Sequence, residues 1–174
     1  MSISAGILMF MSFHLEKDWK SQFRIDFKSV MLGLVSAGVL WGVFYVGDFL
    51  ATRLFDFAAS QIDSIYSLRD GNNYSIIALL LLFWIGPAEV IFWQGYVQRN
   101  WMNRFGNFKG FVFTTLVYTL VHIWSFNFIL VMAACVCGTF WGLMYWYFKP
   151  KNLVPLLISH AVWDAVVFIL FPII

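Results

Sequence analysis

A chain of 174 residues, 61% hydrophobic, 11% charged and with a net charge of +2, is the length of one domain and far more apolar than a soluble protein. Those values exclude a soluble globular enzyme, and the near-neutral balance excludes a nucleic-acid binder, which needs a strong basic excess. They predict an all-α integral membrane protein, a single transmembrane domain over residues 1–174, because an open sheet leaves its backbone unsatisfied in lipid.

The chain opens with Ile3–Phe13, an apolar run without a leading positive charge or a small-residue cleavage site, so no signal peptide is expected. It is shorter than the roughly 20 residues a span requires and is expected to be interfacial or partly inserted. Leu15, Trp19, Phe23 and Phe27 then recur at every fourth position with charges between them. This predicts an amphipathic surface helix and makes residues 1–28 an N-terminal interfacial segment.

Five spans follow: Val30–Leu50, Tyr74–Val97, Gly110–Trp124, Phe126–Phe148 and Leu153–Ile173. The expected fold is a compact bundle of about five transmembrane helices plus the amphipathic helix, with residues 74–173 as the motif-bearing core. The third span is short and meets the fourth through almost no loop, which predicts a tight antiparallel pair. Gly38-x-x-x-Gly42 and Gly138-x-x-x-Gly142 would let helices approach closely. Cys135 and Cys137 are near neighbours on one helix, poorly placed for a disulfide. With no other thiol to complete a metal site, they read as inert packing residues.

Lysine and arginine set the orientation. Lys17, Lys20, Arg24, Lys28, Arg99, Arg104, Lys109, Lys149 and Lys151 fall on one side, Arg53 and Arg69 on the other. The N-terminus is expected in the cytoplasm and the C-terminus outside, in a multi-pass plasma-membrane protein.

Of the nine acidic residues, seven lie in polar segments or near span ends, Asp48 being the borderline case. Glu89 and Asp164 lie deep in apolar spans, as do His122 and His160. An ionisable group at mid-membrane costs about 2.5–3.5 kcal/mol on insertion scales, so such groups face one another or a wet cavity. Counting about 1.5 Å per residue, Glu89 lies about 14 Å from the cytoplasmic end of its span, His160 and Asp164 about 10–16 Å, and His122 about 18 Å. The last pair are four residues apart and share a helix face. All four are expected to meet in one pocket between the second, third and fifth spans.

Gly86-Pro87-Ala88-Glu89-Val90-Ile91-Phe92-Trp93-Gln94-Gly95-Tyr96 resembles the first motif, Glu-Glu-x-x-x-Arg, of the CPBP family: the CAAX prenyl endopeptidases of the Ras-converting type and their bacterial relatives, also called Abi or bacteriocin-processing proteins. Tyr118-Thr119-Leu120-Val121-His122 is similar to its second motif, Phe-x-x-x-His, and His160-Ala161-Val162-Trp163-Asp164 to its third, His-x-x-x-Asn or His-x-x-x-Asp. The resemblance runs from Pro87 to Asp164, in the family's order, each motif on its own span. Two positions depart from it. Val90 stands for the second Glu and Gln94 for the Arg. These lie one helical turn apart, and losing both charges together leaves no buried orphan ion, so the family's pair is inferred to be structural.

The resemblance implies an intramembrane glutamate-dependent endopeptidase acting on a membrane-associated peptide or protein. Glu89 would be the base that activates water, with His122 its neighbour. His160 and Asp164 would orient the water or polarise the scissile carbonyl, and Asp164 can hold a histidine tautomer. No cofactor is implied. A zinc site from His122, His160 and Glu89 is the alternative, but it has no His-Glu-x-x-His motif behind it. Two further classes stay open. One is a non-catalytic relative, an immunity factor or partner subunit, which Val90 and Gln94 favour. The other is a proton carrier, which the absence of internal repeats disfavours. Ser159 points about 100° away from His160 on a helix. Trp93, Trp124, Trp141, Trp146 and Trp163 read as packing or interface-belt residues.

Overall fold

The computed structural model describes residues 2–67, 73–148 and 152–173. Its described residues form helices and no strands, and the protein is an all-α membrane protein. Three helices are long and apolar enough to cross a bilayer: α2 (Phe27–Leu54), the run Ile76–Phe105 within α4 (Tyr74–Phe105), and α6 (Phe128–Tyr147). The other elements are shorter: α1 (Ser2–Leu15), α3 (Ala58–Ser67), α5 (Asn107–Leu120) and α7 (Val154–Ala165), which continues as a π-helical turn over Val166–Leu170. Each of the five expected spans is thus represented by a helix. Arg69, Lys149 and Lys151, used for the orientation, lie outside the described residues.

The amphipathic helix expected from Leu15 to Phe27 is replaced by a broken path. Here α1 stops at Leu15, a single 3-10 turn covers Trp19–Gln22, and α2 starts at Phe27, where the Asp26 carboxylate accepts from the Ser29 amide at 2.8 Å. The four-residue periodicity is real, but polar anchors override it. Gln22, 2% exposed, donates from Nε2 to the Gly95 carbonyl (3.2 Å) and accepts from the Tyr145 hydroxyl (2.9 Å), while its own carbonyl accepts from the Leu153 amide (2.8 Å). Asn152 accepts from the Arg24 amide and donates to the Arg24 carbonyl and the Ser29 hydroxyl. Buried polar groups need such partners, and a continuous helix would withhold the main-chain atoms that supply them. Helix α1 packs along α4, with Ala5 buried and a methyl at Gly6 only 3.1 Å from the Trp84 ring.

Helix α4 runs from Tyr74 to Phe105 in five stretches: Tyr74–Leu80, Leu81–Ile85, Gly86–Val90, Ile91–Gln98 and Arg99–Phe105. The second and fourth are π-helical. Pro87 explains the first widening. A proline ring clashes with the carbonyl four residues back and lacks an amide to bond it. The preceding Gly86 amide instead reaches back five residues to the Leu81 carbonyl, which opens the turn.

Helix α2 lies along α7, and α5 pairs with α6. Glycines set these approaches, though not all the expected ones. A methyl at Gly33 would fall 2.7 Å from Ile158 Cβ, whereas Gly38 and Gly42 face nothing within 4 Å. The Gly138–Gly142 pair does mark a contact, against the Tyr118 and Phe111 rings. Helix α3, where the sequence predicts no element, closes one end of the bundle. Gln61 caps α6 by accepting from the Ile129 amide (3.0 Å), and its carbonyl accepts from Asn127 Nδ2 (2.8 Å).

Candidate active site

Glu89 sits on the short α-helical stretch Gly86–Val90, with a π-helical segment on each side. Such widened turns recur at functional sites because they re-aim side chains out of the regular register. Glu89 is half-buried. Its Oε2 accepts a hydrogen bond from the Tyr118 hydroxyl at 3.0 Å.

Tyr118 comes from α5 and is one turn before His122. Its ring is 6% exposed and meets the Trp93 ring edge-to-face at 5.3 Å. A methyl at Gly138 would fall 2.8 Å from that ring, so the absence of a side chain there is what admits it. His122 is not inside the helix, as the sequence suggested. Helix α5 ends at Leu120, and His122 opens the 3-10 turn Ile123–Ser125. Its Nδ1 lies 2.7 Å from the Tyr118 carbonyl oxygen. A carbonyl only accepts, so Nδ1 carries a proton, and in the neutral tautomer that this contact selects Nε2 is the bare nitrogen. The half-buried imidazole also rests edge-on against the Tyr118 ring at 4.9 Å.

The second half of the site is on α7. His160 Nε2 faces Asp164 Oδ2 at 3.6 Å, one turn apart, and both residues are buried, at 6% and 4% exposure. That separation brings the two side chains together but exceeds a hydrogen bond. His160 Nδ1 is buried with no protein partner. The imidazole stacks on Trp141 with ring centres 3.9 Å apart, and Trp141 is oriented by donating from Nε1 to Ser159 Oγ at 3.1 Å.

Gly86 brings the halves together. A methyl there would lie 3.2 Å from Asp164 Oδ2 and 3.6 Å from His160 Cδ2, so the α4 backbone touches the His160–Asp164 pair one turn before Glu89. Among the described residues neither imidazole comes within 4.0 Å of the Glu89 carboxylate. The four expected residues therefore form two linked pairs, one joined through Tyr118 and one by direct approach.

An apolar cleft of about 430 Å³ has Asp48, Phe44, Tyr66 and Trp163 in its wall, and a polar one of about 340 Å³ has Arg99, Asn103 and Tyr145. Neither is lined by Glu89, His122, His160 or Asp164. Nor do three His, Cys, Asp or Glu side chains gather as metal ligands among the described residues, so His122, His160 and Glu89 are not drawn into one coordination set.

Sequence reasoning missed Tyr118, Trp141, Ser159 and Gly86. Tyr118 was signalled by its place one turn before His122, and Gly86 by its position before Pro87. Trp141 and Ser159 carried no signal, since their link to His160 exists only across helices.

Val90, at the motif position that departs from Glu, is fully buried in the hydrophobic core, and Gln94 is 4% exposed. A family model described as type II CAAX prenyl endopeptidase Rce1-like matches residues 71–166. The chain belongs to that family. No curated protein and no solved structure matches it. In this Rce1-like protein the matched stretch holds Glu89, Tyr118, His122, His160 and Asp164, while α1, α2 and α3 lie before it.

Proposed function

We propose that this CAAX-protease-like membrane protein is an intramembrane endopeptidase that hydrolyses a peptide bond in a membrane-associated peptide or protein. The observation that carries this is the convergence of Glu89 and His122 on Tyr118, with the His160–Asp164 pair against Gly86 one turn away. Glu89 takes a proton from water as the water oxygen bonds to the scissile carbonyl carbon. The C–N bond then breaks, and the leaving amine takes the proton back from Glu89. His122, through its bare Nε2, is suited to accept from the water, and His160, through its unpartnered Nδ1, to donate to the developing oxyanion. Asp164, 3.6 Å from His160 Nε2, is placed to hold the tautomer of that imidazole. No metal is needed for these steps. The excess of Lys and Arg on one side supports a plasma-membrane protein with the N-terminus in the cytoplasm and the C-terminus outside.

A second reading has its own support. Val90 and Gln94 replace a charged pair with buried uncharged side chains, as a non-catalytic relative serving as an immunity factor or partner subunit would. One experiment separates the two. The purified chain and its Glu89→Gln variant are incubated with an internally quenched farnesylated CAAX peptide, and the peptides released by cells expressing each form are compared by mass spectrometry. The protease reading expects cleavage, or a set of wild-type-only peptide termini, to fall at least about 100-fold in Glu89→Gln, with unchanged thermal stability. No cleavage of the probe together with identical peptide profiles favours the non-catalytic reading.

A further inference from the structure

One residue touches both halves of the Glu89–His122 pair. The Tyr118 hydroxyl donates to Glu89 Oε2 at 3.0 Å, and the Tyr118 carbonyl lies 2.7 Å from His122 Nδ1. The residue has little freedom. Its ring is 6% exposed, is held edge-on by Trp93, and lies where any side chain at position 138 would stand. An aromatic ring alone would fill that space, so packing does not account for the hydroxyl.

We propose that Tyr118 is the positioning residue of the site. It commits one Glu89 oxygen, Oε2, to the protein and leaves Oε1 as the face of the carboxylate open to water. It also fixes the His122 tautomer, so that Nε2 points away from the backbone. The phenol stays protonated and takes no part in bond making. It acts through the carboxylate, whose lone pairs it orders, and the hydrogen bond to a charged acceptor is the stronger kind. The catalytic consequence rests on the protease reading. The hydrogen bond itself does not, and it is tested separately.

The test uses the full chain in lipid nanodiscs with dicyclohexylcarbodiimide, a lipophilic reagent that adds to membrane-embedded carboxyl groups, and reads the Glu89 and Asp164 adducts by peptide mass spectrometry. In Tyr118→Phe, Glu89 is released and should label about tenfold faster, with Asp164 labelling unchanged. Replacing Tyr118 by 3-fluorotyrosine supplies a more acidic phenol, a stronger donor, in the same volume, and should slow Glu89 labelling. A packing role would move neither rate in opposite directions. Equal labelling in all three forms, or acceleration in both variants, overturns the proposal whether or not the protein proves to be a protease. Should Tyr118→Phe not fold, the fluorotyrosine form alone decides, by slower labelling or by none. Where the farnesylated peptide is cleaved, Tyr118→Phe lowers kcat about tenfold with KM unchanged. A change confined to KM contradicts the positioning role.

Discussion

Gly86 shows how much of the site turns on a single missing atom. A methyl there would meet the Leu81 carbonyl at 3.0 Å and Asp164 Oδ2 at 3.2 Å. Both neighbours would have to yield, and Leu81 is main chain within a widened turn. Gly86→Ala is expected to push α4 away from α7, costing about 1–3 kcal/mol as overpacking does, and to reduce hydrolysis more than the equivalent Gly42→Ala, which faces open space. Thermal unfolding in detergent together with the peptide assay checks both. Equal effects at the two glycines would contradict the account. At this scale the sequence was informative about Glu89, His122, His160 and Asp164, because a charge-capable group in an apolar run stands out. It read Trp141 as a packing or belt residue and Ser159 as turned away from His160, because the bond that ties both to the site exists only once α6 and α7 are laid side by side.

Among the elements, the broken N-terminal stretch is the most instructive. Period-four apolar residues argue for one amphipathic helix, and the local pattern does favour it. Three long-range hydrogen bonds from Gln22 reach Gly95, Tyr145 and Leu153 and outweigh that preference, and no local rule registers partners so distant in sequence. Gln22→Ala would remove the bonds this side chain makes to the Tyr145 hydroxyl and the Gly95 carbonyl, each contributing about 0.5–1.5 kcal/mol. Tyr145→Phe should cost less, and the double variant should be less destabilised than the sum of the singles. A strictly additive result in a chemical unfolding series would show that the two groups do not interact. A helix at each of the five expected spans was legible because hydrophobic runs in lipid admit only helices, though among the described residues only three are long and apolar enough to cross. The π-helical stretches of α4 were not, since Pro87 announces a disturbance without saying whether the helix kinks or widens.

For the whole molecule, the polar groups at the Arg99 end of the bundle join the first residues to the last helix. Outside the membrane-spanning segments, the Ser21 hydroxyl and then Arg99 hold the Asp18 carboxyl below its ordinary value, and the Ser29 amide and hydroxyl do the same for Asp26. A carboxyl depressed in the folded state adds stability that is fully present above its unfolded value of about 3.9 and is lost as pH falls through the lower folded value. Unfolding temperature should therefore hold from neutrality to about pH 4 and drop below it, with a shallower drop in Asp18→Asn. Matching slopes for the two proteins would count against this. That end of the molecule also bears on the order of assembly. During synthesis the chain has Glu89 and His122 long before His160 and Asp164, and Gln22 and Arg24 lack their partners Leu153 and Asn152 until the start of α7 is made. If the chain is the protease proposed above, nascent and truncated forms should accordingly be inert, with competence arriving only when the last helix joins the bundle.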